Sequence, residues 1–371
     1  MKIQAAITES AGHAFAIGPA ELDEPRADEL LVRVVACGVC QTDSHARDQH
    51  LPVPLPAVLG HEGAGVVERV GSAVSGFAPG DHVVMSYRSC GVCRCCLIGE
   101  VAYCAQIFPL NFGGARADGS TAIRRGADAD AAPIHGQFFG QSSFASHAVV
   151  NQQNAVKVPE DIPLEMLAPF GCGFQTGFGA VVKSLRVTPG SSIAIIGTGA
   201  VGLAAVMAAK IAGASTIIGL DINDDRLALA LELGATHSVN TAGTDIVSAI
   251  QAIVPGGVNY VLEITGIPAL AAASVDMLAP LGIAGLIGSV APGTTAPFNV
   301  LNLMMGRTVR GISNGDAVSK VMIPMMIEEF KAGRFAVDRL IKVYPFEAIN
   351  AAFDDARSGI TVKPVLSLAP T

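Results

Sequence analysis

The sequence predicts two domains of different class: a β-rich, barrel-like domain first, then a doubly wound parallel α/β sheet, with the chain returning to the first domain at its end. Three observations carry this. At 371 residues the chain exceeds one comfortable core, so two domains are expected. In the first part Gly63, Gly65, Gly71, Gly76 and Gly80 punctuate valine-rich runs, as in short, sharply bent strands. From Ser192 onward, apolar strands alternate with alanine-rich helices, the pattern of βα units. The expected division is residues 1–173 with 314–371, and 174–313.

Composition narrows the function. Half of the residues are hydrophobic and 15% are charged, and 41 glycines with 21 prolines argue for many turns rather than a helical bundle. The longest uncharged run, residues 277–306, is broken by Pro280, Pro292 and Pro297, and reads as buried strand and loop rather than a membrane span. The opening MKIQAAITES lacks the apolar core of an export signal, so a cytoplasmic protein is expected. A net charge of −8 without basic runs speaks against nucleic acid or anionic membrane and leaves a small molecule as the partner. Eight cysteines in a chain without an export signal favour thiolate metal ligands over disulfides.

Residues 1–35 alternate apolar and polar around 5–8 and 30–35 and read as antiparallel strands. The stretch from Cys37 to Glu62 follows. It sets Cys40, Thr42, Asp43 and His45 before a proline-rich loop, then Gly60-His61-Glu62. Cys37 reads as a buried small hydrophobe. Cys40 and His61 read as half of an open metal site, since catalytic zinc takes three protein ligands and leaves a fourth position for water or substrate. Thr42 and Asp43 read either as helix caps or, beside a metal, as members of a proton relay with His45; His50 competes with His45. Glu62, directly after a ligand histidine, reads as a support behind the metal or as an ordinary solvated acid.

The most specific signal is Cys90, Cys93, Cys96 and Cys104, a C-x2-C-x2-C-x7-C spacing that closes a tetrahedral structural zinc site within a lobe at about residues 88–106. Cys95 falls out of register and reads as a bystander. Residues 105–144 are irregular and end in HGQFFGQSSF, where Phe138, Phe139 and Phe144 line a pocket or pack the core. Cys172, isolated between Gly171 and Gly173, is the natural third ligand of the open site.

The second domain begins with the strand at 192–196 and runs through Gly197, Gly199, Ala200, Val201 and Gly202 into a helix. A second strand, TIIGLD, ends in Asp221. This is the Rossmann dinucleotide fingerprint: glycines permit close approach of the pyrophosphate, the helix N-terminus favours phosphate, and the acid takes the ribose diol. An acid there repels a 2′-phosphate, so NAD is expected over NADP. Arg226 reads as a contact to the adenosine ribose or phosphate, or as a solvated helix charge. Further strands at about 238, 258–264, 282–288 and 308–312 give a six-stranded parallel sheet, with Gly266 and the 288–292 turn at the carboxyl ends of strands. A long helix at 317–332, a strand at 340–344, a helix to residue 357 and a last strand complete the chain.

Taken together, GHE at Gly60 to Glu62, the four-cysteine lobe, the lone Cys172 and GTGAVG followed by Asp221 resemble the zinc-dependent medium-chain alcohol dehydrogenases across essentially the whole chain. The resemblance implies a GroES-like catalytic domain, two zinc ions per subunit and NAD. It implies catalytic zinc on Cys40, His61 and Cys172, with Glu62 behind it, Asp43 supporting His61, and Thr42 and His45 as the relay. It also places Val290 beside the nicotinamide, the edge at about 307–312 in subunit pairing, and a homodimer or homotetramer. Two positions depart from the pattern: Gln41 stands where an arginine often meets the pyrophosphate, and Lys363 where a late arginine does. The HGQFFGQSSF stretch is similar to bacterial aryl-alcohol (benzyl alcohol) dehydrogenases and their allylic terpene-alcohol relatives. That implies oxidation of primary aromatic or allylic alcohols, with Leu51, Tyr87, Ile107, Phe138, Phe139 and Met304 as candidates for an apolar pocket. The alternatives are a glutathione-dependent formaldehyde dehydrogenase, a general primary alcohol dehydrogenase, and a non-enzymatic NAD-sensing or zinc-binding interaction protein.

Overall fold

The computed structural model describes residues 1–126 and 132–368. They form two compact units: residues 1–173, 318–325 and 338–371, and residues 174–317 with 326–337. Residues 314–317 and 326–337 thus group with the second unit rather than the first. Phe335 explains part of this, since its fully buried ring meets Phe178 at 5.2 Å and Phe174 at 6.2 Å, both within the second unit.

In the first unit, Lys2–Thr8 pairs antiparallel with Ala16–Leu22 in a five-stranded sheet. A seven-stranded sheet is centred on Glu29–Gly38, which pairs with Glu62–Val70 on one side and Lys363–Ser367 on the other. That register matters for the site. It sets Glu62 opposite Gly38, and Gly38 opposite Val365. Gly38 is required there, because a Cβ on it would lie 2.0 Å from a Glu62 carboxylate oxygen.

The second unit carries the parallel sheet, in the order His237–Asn240, Thr216–Asp221, Ser192–Ile196, Val258–Glu263, Leu278–Leu286 and Thr308–Gly311. The strand order reverses beside Ser192–Ile196, where a doubly wound sheet opens its binding crevice. One expectation fails here. Residues 277–306 are not buried throughout: the strand Leu278–Leu286 is partly core, but Leu281, Val290, Val300, Leu301, Met304 and Met305 are exposed. A run without charge reports low solvation of its side chains, not what covers them.

Candidate active site

Cys40 caps the helix Gln41–Arg47 directly after the central strand, His61 precedes the strand Glu62–Val70, and Cys172 ends the turn Ala168–Gly171. Their ligand atoms, with that of Glu62, all lie within 4.8 Å of one another. His61 is fully buried. Its Nδ1 meets Asp43 Oδ1 at 2.9 Å, while its Nε2 is buried with no hydrogen-bond partner. A buried ring nitrogen left without a partner beside two thiols fits a metal ion, because the imidazole is oriented by a carboxylate and presents its other nitrogen as ligand.

Asp43 does more than hold the ring. It accepts from the backbone N–H of Cys40 at 3.2 Å and of Gly60 at 3.1 Å, so one carboxylate ties together the segments carrying two ligands. Burial raises its pKa, against the attraction of His61. Burial alone would lower the pKa of His61, but the Asp43 carboxylate overcomes this and holds it well above the usual range. A hydrogen bond from Cys172 holds the Cys40 thiol well below its ordinary value, and the same bond, with burial, drives Cys172 up. Both become thiolates on binding a metal.

Glu62 is held by Lys363, whose Nζ donates to its two carboxylate oxygens at 3.1 and 2.9 Å and to the Val39 carbonyl at 3.0 Å. Gly173 N–H adds a third contact to Glu62 at 3.0 Å. Burial pushes the Glu62 pKa up to about 7 despite the ammonium. This corrects the expectation that Lys363 meets a pyrophosphate, since all three of its N–H donors are used inside the first unit. Sequence offered no signal for the pair, which lies 301 residues apart.

The Cys40 thiol lies 3.8 Å from Thr42 Oγ1, and His45 Nε2 lies 3.2 Å from Gln41 Nε2, with the His50 ring 5.8 Å away. Leu51 is anchored here by its N–H to the His45 carbonyl at 3.0 Å. Phe138 and Phe139, expected at a substrate pocket, are buried against His61: Phe139 stacks on the imidazole at 4.3 Å and Phe138 meets it edge-on at 5.5 Å. Tyr87 is buried and Ile107 packs at the margin of the same core, whereas Met304 is exposed in the second unit at the end of Val300–Met304. Gln141 is a residue the sequence reading missed. Its Nε2 donates to the His61 carbonyl at 2.9 Å and its Oε1 accepts from Gly63 N–H at 3.0 Å.

Cys90, Cys93, Cys96 and Cys104 bring their sulfurs within 4.8 Å of one another, and Cys95 stands outside the group. Backbone N–H groups of Ala105 and Cys96 lower Cys93 to about 6, whereas burial raises Cys104 to about 12.

In the second unit, Gly199 caps the helix Ala200–Ile211, with Ala200 and Val201 opening it. Gly197 has φ +96°, and a Cβ on Gly202 would sit 1.9 Å from the Gly197 carbonyl, so both glycines are sterically required. Asp221 Oδ2 accepts from Thr198 N–H at 2.7 Å and its hydroxyl at 3.0 Å, and Oδ1 from the N–H groups of Ile222 and Asn223. A ribose diol at Asp221 therefore competes with the Thr198 hydroxyl, the one donor of the four that can rotate away. Gly266 has φ +74°, and a Cβ on it would lie 3.0 Å from the Ser289 carbonyl oxygen and 3.3 Å from Val290 Cγ1, so the two predicted residues Gly266 and Val290 lie close together. Arg226 is half-buried with its Nε lacking a partner.

Two family models match the chain: the alcohol dehydrogenase GroES-like domain over residues 26–160 and the zinc-binding dehydrogenase over residues 200–331. A geraniol dehydrogenase of Castellaniella defragrans is 45% identical over 366 residues, 98% of this chain and 97% of that one. The crystal structure of an alcohol dehydrogenase zinc-binding domain protein from Burkholderia ambifaria matches with a TM-score of 0.97 at 55% identity, covering 100% of both chains. That of benzyl alcohol dehydrogenase from Acinetobacter calcoaceticus matches at 0.96 and 46%, again over 100% of both.

Proposed function

The chain belongs to the zinc-dependent medium-chain alcohol dehydrogenases, and on that premise we propose that it oxidises primary aromatic and allylic alcohols reversibly to aldehydes, with NAD as coenzyme. The observation that carries this is the convergence of Cys40, His61 and Cys172 around an imidazole nitrogen with no other partner. The substrate class is supported by the apolar surroundings of His61 and by relatives named for geraniol and benzyl alcohol.

In this reading Cys40, His61 and Cys172 hold the catalytic zinc, and Cys90, Cys93, Cys96 and Cys104 the structural one. Bound zinc supplies Lewis acidity that lowers the pKa of the alcohol, and bound NAD+ supplies the hydride acceptor. The protein does the rest. Asp43 fixes the His61 ring through Nδ1, and Lys363 keeps Glu62 hydrogen-bonded in place. Thr42 would accept the alcohol proton on its hydroxyl oxygen while giving up its own hydroxyl proton toward His45, whose imidazole would release a proton to solvent. Gly197, Gly199 and Gly202 leave room for the pyrophosphate at the N-terminus of Ala200–Ile211, and Asp221 disfavours a 2′-phosphate. Leu51, Tyr87 and Ile107 contribute apolar surface to the substrate, with the outer edges of Phe138 and Phe139.

Among the described residues no helix is long and apolar enough to cross a membrane. The exposed Val300, Leu301, Met304 and Met305 beside the edge strand Thr308–Gly311 support a homo-oligomer paired through that edge.

The test is NADH formation from benzyl alcohol, geraniol, ethanol and S-hydroxymethylglutathione, each run with NAD+ and NADP+. Benzyl alcohol or geraniol is expected to give the highest kcat/KM, with NAD+ preferred. A lead for ethanol or the glutathione adduct overturns the substrate class, and a preference for NADP+ overturns the role of Asp221.

A further inference from the structure

We propose that Phe139 and Gln141 are positioning residues for His61, fixing its ring and backbone so that Nε2 faces the metal. The inference rests on the reading of His61 as a zinc ligand. It starts from strain: Gln137, Phe139 and Ser142, none of them glycine, have φ of 58°, 52° and 60° within six residues. Left-handed backbone at such residues persists only where the surroundings over-determine it, and it gathers at functional sites.

Buried hydrogen bonds hold this segment. Ser142 Oγ accepts from Phe138 N–H at 3.0 Å and donates to the Val58 carbonyl at 2.7 Å, and Gln137 Nε2 donates to the Val149 carbonyl at 2.9 Å. The strained turn delivers two groups to one target. The Phe139 ring lies over the imidazole with centroids 4.3 Å apart and planes 22° apart, and the Gln141 amide bridges the His61 carbonyl and Gly63 N–H.

Asp43 alone holds the ring loosely. One hydrogen bond keeps Nδ1 near Oδ1 but still allows rocking about the Cα–Cβ and Cβ–Cγ bonds, which moves Nε2 relative to the thiols. A face-to-face contact blocks that rocking. Gln141 removes the remaining freedom by holding the main chain on both sides of Glu62, with its own Oε1 also accepting from Ser143 Oγ at 2.7 Å. Groups that orient a metal ligand change metal affinity by about 10–100-fold when removed. Ordinary core packing is represented by Phe112, which meets Phe139 edge-on at 5.1 Å, whereas the rings against His61 among the described residues are Phe138 and Phe139.

The experiment follows release of zinc from the purified holoenzyme to a chromogenic chelator, together with the melting temperature, for Phe139→Leu, Phe139→Tyr, Gln141→Leu, Phe112→Leu and His61→Ala. Phe139→Leu and Gln141→Leu are expected to speed one release phase about tenfold. Phe139→Tyr keeps the ring and stays within about twofold of the parent rate. Phe112→Leu lowers the melting temperature without changing that phase. Parent-like release in Phe139→Leu, or equal acceleration in Phe112→Leu, overturns the inference while the zinc assignment stands, provided His61→Ala has lost the phase. If His61→Ala retains it, the ligand assignment itself fails and the inference falls with it.

Discussion

Replacing Lys363 by methionine keeps most of the side-chain volume and removes the charge. The two side chains of the pair are only 3% and 0% exposed. The variant leaves Glu62 with the Gly173 N–H and strands the Val39 carbonyl. Removing one partner of a buried ion pair costs about 3–5 kcal/mol. An independent ceiling agrees. Glu62 escapes its isolation by taking up a proton, and at pH 8 a carboxyl with an ordinary value of 4.5 does so at about 1.4 kcal/mol per pH unit, or about 5 kcal/mol. For a unit of roughly 200 residues each kcal/mol moves the melting temperature by about 2–4 °C, so a fall of roughly 6–20 °C is expected. The sign of the pH dependence follows from the same group. Burial raises the folded pKa of Glu62 to about 7, and such a carboxyl stabilises below its unfolded pKa and loses that contribution as pH rises through the folded value. Without the ammonium that lowers it, Glu62 in Lys363→Met takes up its proton at higher pH than in the parent, so the deficit of the variant shrinks as pH falls from 8 to 6. Calorimetry on the parent, Lys363→Met and Lys363→Met/Glu62→Gln decides the matter, with the double variant expected to regain half or more of the loss. A single variant that melts within about 2 °C of the parent while its KM for NAD rises would refute the reasoning, because that is the signature of a phosphate contact.

Arg116, buried, donates to both Glu29 oxygens at 2.9 and 3.1 Å and to Asp23 at 3.1 Å; Arg116→Met is expected to cost about 3–5 kcal/mol, and an unchanged melting temperature would contradict it. Arg116→Lys should recover only part, having no planar fork. Burial lowers the pKa of His147 against the pull of Glu68, so its neutral form stabilises the fold above the ordinary value near 6.5, and that contribution is lost as pH falls toward the folded value. Urea midpoints of the parent should fall more between pH 7.5 and 5.5 than those of His147→Gln, and parallel profiles would remove the group from the account. With Lys363 committed to Glu62, Gln41 alone carries the expectation of loose coenzyme binding. Gln41→Arg should slow NADH dissociation in stopped flow, and an unchanged rate argues that no phosphate comes near.

The sequence showed its motifs where chemistry is local. Cys90 to Cys104 lie within one short segment, and Gly197, Gly199, Gly202 and Asp221 follow a fixed strand–turn–helix spacing, so both were legible from residue type and interval. The supports around His61 were legible only in part: the family resemblance named Asp43, but neither Gln141 nor the Lys363 partner of Glu62. Lys363 reaches Glu62 because the last strand pairs with Glu29–Gly38, a long-range register that no local pattern encodes. Phe139 read as lining a pocket or packing the core because its apolar character was visible; its left-handed backbone and its stacking on His61 were not. The run at 277–306 was misjudged for a related reason: absence of charge is the same whether apolar side chains are buried in a core or exposed.

The two metal clusters hold similar ligands in opposite settings, and this separates what each metal does. The lobe has almost no core of its own: Arg94–Leu97 buries no residue, and Val92, Leu97 and Ile98 are exposed. Its shape depends on the four sulfurs being joined, so the metal contributes folding energy directly. Around His61 the reverse holds. Asp43 on the helix Gln41–Arg47, Gln141 in a turn, and the Glu62–Lys363 pair on two strands hold the ligand segments through buried protein–protein hydrogen bonds. Staged chelation of the holoenzyme should therefore show two behaviours. Loss of the metal at Cys40, His61 and Cys172 should abolish turnover with little change in melting temperature and should reverse on adding zinc, whereas loss at the lobe, or Cys96→Ser, should lower the melting temperature and promote aggregation. If turnover instead survives until the protein melts, His61 is not the ligand on which the reaction depends.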